Sequence, residues 1–198
     1  MTMHRHTSLI ALTLSLALAA CSAEPEGDAA KPAATASASA AASTTPAAPV
    51  AEEQVSANTL TLAGLGPLKL GQPLDPASGF AARGAQISDT CVIASSPNYP
   101  DVYAIVEGGT VQRISVSEGS TVTLIEGVGP GATEATVDGA FPGFREEAHK
   151  YVPGGKYLTA PGSESGDPAV RFELDEGGKV TTVHVGMMPV LGYVEGCA

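Results

Sequence analysis

A Glu-Gly-Gly turn set between runs of alternating apolar residues occurs twice in this chain, and the recurrence narrows the folds open to it. The first copy is Glu107-Gly108-Gly109-Thr110-Val111-Gln112-Arg113-Ile114-Ser115-Val116, and the second is Glu176-Gly177-Gly178-Lys179-Val180-Thr181-Thr182-Val183-His184-Val185. Before the turns, Tyr103 and Ile105 answer Phe172 and Leu174 with the period of two that marks a half-buried strand. Each copy therefore reads as a β-hairpin whose Gly pair supplies positive φ angles. Two such hairpins predict a duplicated domain.

The likeness extends upstream. Leu65, Leu68 and Gly71 align with Ile125, Val128 and Gly131, and a helix-compatible run follows each Gly. In the first copy this run is Leu74 to Ala85, opened by Asp75-Pro76; in the second it is Thr133 to Phe141, with Thr133 as N-cap and Glu134 in the first turn. Phe80 and Val137 are the expected buried residues of these helices. The predicted class is α+β. Two related strand-helix-β-meander units, about 60–120 and 121–198, form an antiparallel sheet with one short helix each, packed on one face. The competing fold is an all-β sandwich without helices. The segment Leu68-Lys69-Leu70-Gly71-Gln72-Pro73-Leu74 resembles the Gly-Met-Thr opening of the helix in the β-lactamase-inhibitor-like fold, with Gln72-Pro73 standing where Met-Thr would be. That fold is shared by secreted inhibitor proteins and by small lipoproteins of outer-membrane protein assembly. The resemblance implies an architecture more than an activity.

The first 20 residues read as a targeting segment. His4, Arg5 and His6 give a basic start, and the apolar run from Leu9 to Ala20 is too short to span a bilayer. The run ends Leu18-Ala19-Ala20-Cys21, which resembles the bacterial lipobox. The resemblance implies cleavage before Cys21 and acylation of that residue, with the lipid bilayer as a partner; Ser22 in place of Asp implies sorting to the outer membrane. Residues 21–55 are mostly Ala, Ser, Thr and Pro, a composition that cannot bury enough apolar surface to offset its ordering entropy. They read as a disordered tether, with an end-to-end distance of roughly 30 Å as a random coil.

The expected folded part, 56–198, carries eight Lys/Arg against sixteen Asp/Glu and no Trp. Scattered basic residues on an acidic domain argue against nucleic acid as a partner. Cys91 and Cys197 are the cysteines outside the leader and lipobox, and in an exported domain they read as a disulfide. No Cys/His spacing supports a metal site, and no cofactor motif is met: Pro130 spoils Gly127-Val128-Gly129-Pro130-Gly131 as a phosphate loop.

Two functional classes follow. The first is a non-catalytic protein-binding module at the outer membrane, facing the periplasm, as an envelope assembly factor or an enzyme inhibitor. The second is a hydrolase or other enzyme acting on envelope material, with His149 as base and a nearby Glu, Glu146 or Glu147, as acid. Against it, the surroundings of His149 read as a solvated charged turn, and Ser163 to Asp167 as an exposed loop rather than a nucleophile elbow. If helices cover one sheet face, alternate residues of the hairpins cover the other: Gln112 or Arg113, with Thr182 and His184. Exposed Tyr99 and Tyr151 on loops would rim that open polar face. Tyr99, Arg113, Tyr151 and His184 are the expected binding residues.

Overall fold

The computed structural model describes residues 56–84, 86 and 88–197; the leader, Cys21 and the expected tether lie outside them. The first half runs β1 (Thr59–Thr61), β2 (Gly64–Leu65), β3 (Leu68–Lys69), β4 (Ala81–Ala82), β5 (Cys91–Ser96), β6 (Tyr99–Glu107) and β7 (Thr110–Ser117). The second half runs β8 (Thr123–Leu124), helix α1 (Glu134–Ala140), β9 (Arg145–Ala148), β10 (Lys156–Thr159), β11 (Ala169–Leu174) and β12 (Val180–Gly186). Eight strands make one antiparallel sheet in the order β4-β5-β6-β7-β12-β11-β10-β9, and four make a small mixed sheet, β3-β2-β1-β8. In the small sheet β1 and β8 run parallel.

The two Gly-Gly hairpins meet at the centre of the large sheet. Strands β7 and β12 pair antiparallel with Ser115 opposite His184, the very residues that the repeat sets in correspondence. A local two-fold axis therefore passes between them, and three further strands of each half run outward on either side. The same backbone bonds recur at matched positions. The Gly71 amide donates to the Val111 carbonyl at 2.9 Å, and the Gly131 amide to Val180 at 2.7 Å. Val111 donates back to Gln72, and Val180 to Ala132, both at 2.9 Å. A β-bulge falls between Ile105 and Val106 in one hairpin and between Glu173 and Leu174 in the other.

Two expectations need correction. First, the turns differ in length. In the first hairpin Glu107 faces Thr110 across Gly108 and Gly109, with φ of 59° and 81°. In the second, the Asp175 amide bonds the Lys179 carbonyl, and the Asp175 carboxylate accepts from the Gly177 and Lys179 amides at 2.8 Å, so the loop holds one residue more. Phe172 and Leu174 consequently correspond to Ala104 and Val106, not to Tyr103 and Ile105. The second correction concerns the helix expected over Leu74–Ala85. Asp75 does cap a turn, accepting from Ala77 N–H at 2.8 Å, but only a 3-10 turn at Pro76–Ser78 forms before Gly79 enters the left-handed region at φ 78°. Ala81 and Ala82 then join the sheet against Ser95 and Ala94. Only the second-copy helix forms, with Thr133 at its N-cap. The fold is accordingly mostly β with one short helix.

One face of the large sheet carries the apolar core: Val102, Ala104, Val106, Ile114, Val116, Phe172, Leu174, Val183 and Val185. Leu60, Leu65 and Leu68 of the small sheet, Val137 of α1 and Phe80 all pack into this cluster, each no more than 2% exposed. Side chains of this size are worth about 1.5–3 kcal/mol each when fully buried. Phe80 and Val137 are thus buried as expected, although Phe80 lies outside any helix.

Candidate functional site

The second face of the large sheet is polar, as the His184/Ser115 correspondence predicts, but its centre is not open. After β12 the chain turns back over it. Residues Val190–Gly192 form a 3-10 turn, with Val190 and Leu191 at most 1% exposed, and Cys197 is bonded to Cys91 at the start of β5. Beneath this tail Arg113 is 1% exposed; its Nη1 donates to the Val190 carbonyl at 3.1 Å and also to the Tyr193 carbonyl. Tyr103, Tyr193, Ile105 and Val190 pack around the disulfide. The expectation that Arg113 and His184 face solvent is therefore corrected: both are buried, and the C-terminal segment that ends at the disulfide folds back over Arg113.

Beside the tail lies a chain of polar side chains. Ser115 Oγ is 2.8 Å from His184 Nδ1, and His184 Nε2 is 3.0 Å from Glu173 Oε1. The other Glu173 oxygen lies 3.6 Å from His149 Nε2. His149 Nδ1 accepts from the amides of Tyr151 and Val152, both at 3.1 Å, and the ring stacks on Tyr157 with centroids 4.5 Å apart. Arg171 covers Tyr157, its guanidinium carbon 4.1 Å from the ring centre. These contacts fix one tautomer. Both imidazoles carry the proton on Nε2, facing the shared carboxylate, and His184 accepts the Ser115 hydroxyl proton on Nδ1.

Electrostatics agree with a neutral His184 on an ionised acid. Burial, with the positive charge of Arg113 in support and Glu173 pulling the other way, lowers His184 to about 4. Burial alone would raise Glu173, but the hydrogen bond from His184, with the positive charge of Arg113 in support, holds it below the usual carboxylate range. The order hydroxyl, imidazole, carboxylate is that of an activated nucleophile. Ser115 is 0% exposed, however, so no substrate reaches its Oγ in this conformation. The arrangement is a satisfied polar core on the two-fold axis.

The remaining expected residues are dispersed. Tyr99 is half-buried and stacks on Phe80 at 5.5 Å, with its hydroxyl directed to the Ala57 carbonyl. Tyr151 is 57% exposed, with the Lys150 ammonium 4.9 Å above its ring. With two of the four residues buried, Tyr99, Arg113, Tyr151 and His184 present no common surface. His149 is also not in a solvated turn, and its acid is Glu173; Glu146 pairs with Lys156, while Glu147 pairs with Arg145 and Arg171.

The site that sequence reasoning missed lies where the small sheet meets the end of β10 and β11. There a cleft of about 510 Å³ opens between Leu60 and Leu124 on one side and Phe141, Phe144 and Val170 on the other. Leu62 and Ile125 stand at its mouth, 51% and 59% exposed; with Tyr151 they are the exposed large hydrophobics among the described residues. One signal was available. The repeat matches Ile125 to Leu65, which is fully buried, yet Leu124 beside it takes the buried place and Ile125 is left outside. Its volume is that of an ordinary ligand-binding cleft. Among the described residues no group of three or more His, Cys, Asp or Glu gathers as a metal site. No protein-family model, curated protein or solved structure matches the chain.

Proposed function

We propose that the chain is an outer-membrane lipoprotein, held through acylated Cys21 and facing the periplasm, and that it works as a non-catalytic protein-binding module. The anchor rests on the lipobox, and the duplicated domain behind the tether presents the binding site. The observation that carries the binding reading is the apolar cleft with Leu62 and Ile125 exposed at its mouth. Exposed aliphatic side chains beside a preformed apolar cavity are the usual mark of an interaction site. A role in envelope assembly or in inhibition of an enzyme is compatible with this surface, as the resemblance to the inhibitor-like fold implies. The enzymatic alternative, His149 with a nearby Glu, would fall to Glu173; the low exposure of both side chains, 9% and 20%, supports binding instead.

Leu62→Asp with Ile125→Asp tests the reading. Both positions are exposed, so the charge replacements cost little stability, within about 0.5 kcal/mol each. Capture from the crosslinked native envelope is expected to recover a partner with the wild type and to lose it with this variant at an unchanged melting temperature. Retention of every partner by the variant removes the cleft from the account. Cys21→Ala is expected to abolish the labelling by an alkyne fatty acid that the wild type shows.

A further inference from the structure

The cleft's chemistry also bears on what enters it. Of the residues that line it, only Glu126 and Asp167 are charged, and both are exposed at its edge. Neither makes an ion pair with any described basic side chain, in contrast to Glu134, Glu146, Glu147 and Glu195, which pair with Lys or Arg. Asp167 has only the Ser165 hydroxyl as a side-chain partner, at 3.2 Å. The mouth of an apolar cavity is thus lined by two carboxylates without a counter-cation, on a domain that is already acidic.

We infer, building on the reading of the cleft as the binding site, that its occupant is a protein segment with apolar anchor residues flanked by Lys or Arg. Two features select this partner over an anionic lipid. Seating a fatty acid or phospholipid would place its headgroup against Glu126 and Asp167, a like-charge contact that disfavours binding. The apolar surface also continues out of the cavity onto Leu62 and Ile125. A surface that extends beyond the cavity suits a contiguous partner chain, with an apolar core contact and a polar rim. The rim acids then supply register and attraction, and the cavity supplies the anchor pocket.

Fluorescence polarisation on the folded, disulfide-bonded domain tests this with labelled peptides of sequence GKLFLKG, GELFLEG and GKSGSKG, together with competition by dodecanoate and by dodecyltrimethylammonium. GKLFLKG is expected to bind tightest, and GKSGSKG not to bind. Glu126→Gln with Asp167→Asn is expected to weaken GKLFLKG about three- to tenfold, since exposed charge pairs are individually small contributors. Raising the salt should have a similar effect. Tighter binding of GELFLEG or effective competition by dodecanoate overturns the charge selection. Tighter binding of dodecyltrimethylammonium than of GKLFLKG makes the ligand an amphiphile and overturns the protein segment. If no peptide binds while Leu62→Asp with Ile125→Asp still loses the envelope partner, the segment chemistry is wrong and the cleft stands. If that variant keeps the partner, the cleft itself is wrong.

Discussion

Replacing both Cys91 and Cys197 by Ser is expected to lower the unfolding free energy of the domain by about 4–5 kcal/mol, read from urea denaturation. The bridge closes a loop with a sequence separation of 106 residues, for which chain entropy alone gives about 4.7 kcal/mol. The folded state loses as well. The tail that the bridge pins carries the two carbonyls that accept from Arg113, and its Val190 packs with Ile105 and Cys91. Once the tail is free, Arg113 must find water for its guanidinium, and the small apolar cluster around the bridge opens. Backbone amides of Leu191 and Tyr193, which donate to Met187 and Val190, should then exchange freely with solvent. A double variant within 1 kcal/mol of the wild type, with those amides still protected, would show that the tail is held without the bridge.

Acid should weaken the domain through His184. Its folded value of about 4 lies below the ordinary 6.5, so between these two the unfolded chain binds a proton that the folded chain does not. Stability therefore falls as pH drops from about 6.5 to about 4, and this group adds no slope outside that window. At about 1.4 kcal/mol per pH unit, the loss across the window is roughly 3 kcal/mol. Glu173, also held low in the folded state, adds to the loss in the same sense at the acid end of the range. His184→Gln keeps an amide donor toward Glu173 but cannot titrate, so its stability should depend less on pH by about that amount. If wild type and His184→Gln have the same slope from pH 7 to 4, His184 is not the buried neutral base described.

Much of this fold was legible because the repeat records it twice. The Gly-Gly hairpins, the Gly71/Gly131 correspondence and the Thr133-capped helix rest on local signals: turn residues, caps and a period of two. The expected first helix does not form although Asp75-Pro76 is a sound start, because the stop, Gly79, comes only three residues after Pro76. The one-residue slip between the hairpins was not legible. It depends on Asp175 capping its own turn, a side-chain choice that spacing does not reveal. The site was harder still. His184 alternates with Val183 and Val185, so its face could be read, but the burial of Arg113 on that face depends on a tail folding back from 190–197. The cleft is formed by Leu60, Phe144 and Val170, which lie far apart in the chain, and no periodicity predicts their meeting.

Site-specific photo-crosslinking in the intact envelope tests most directly where this domain binds. A benzophenone side chain placed at Ile125, at the cleft mouth, is compared with one placed at Thr182, on the polar sheet face. An adduct with an envelope protein from position 125, and none from position 182, is the result predicted. An adduct from position 182 with none from position 125 would contradict the account and return the binding surface to the sheet face.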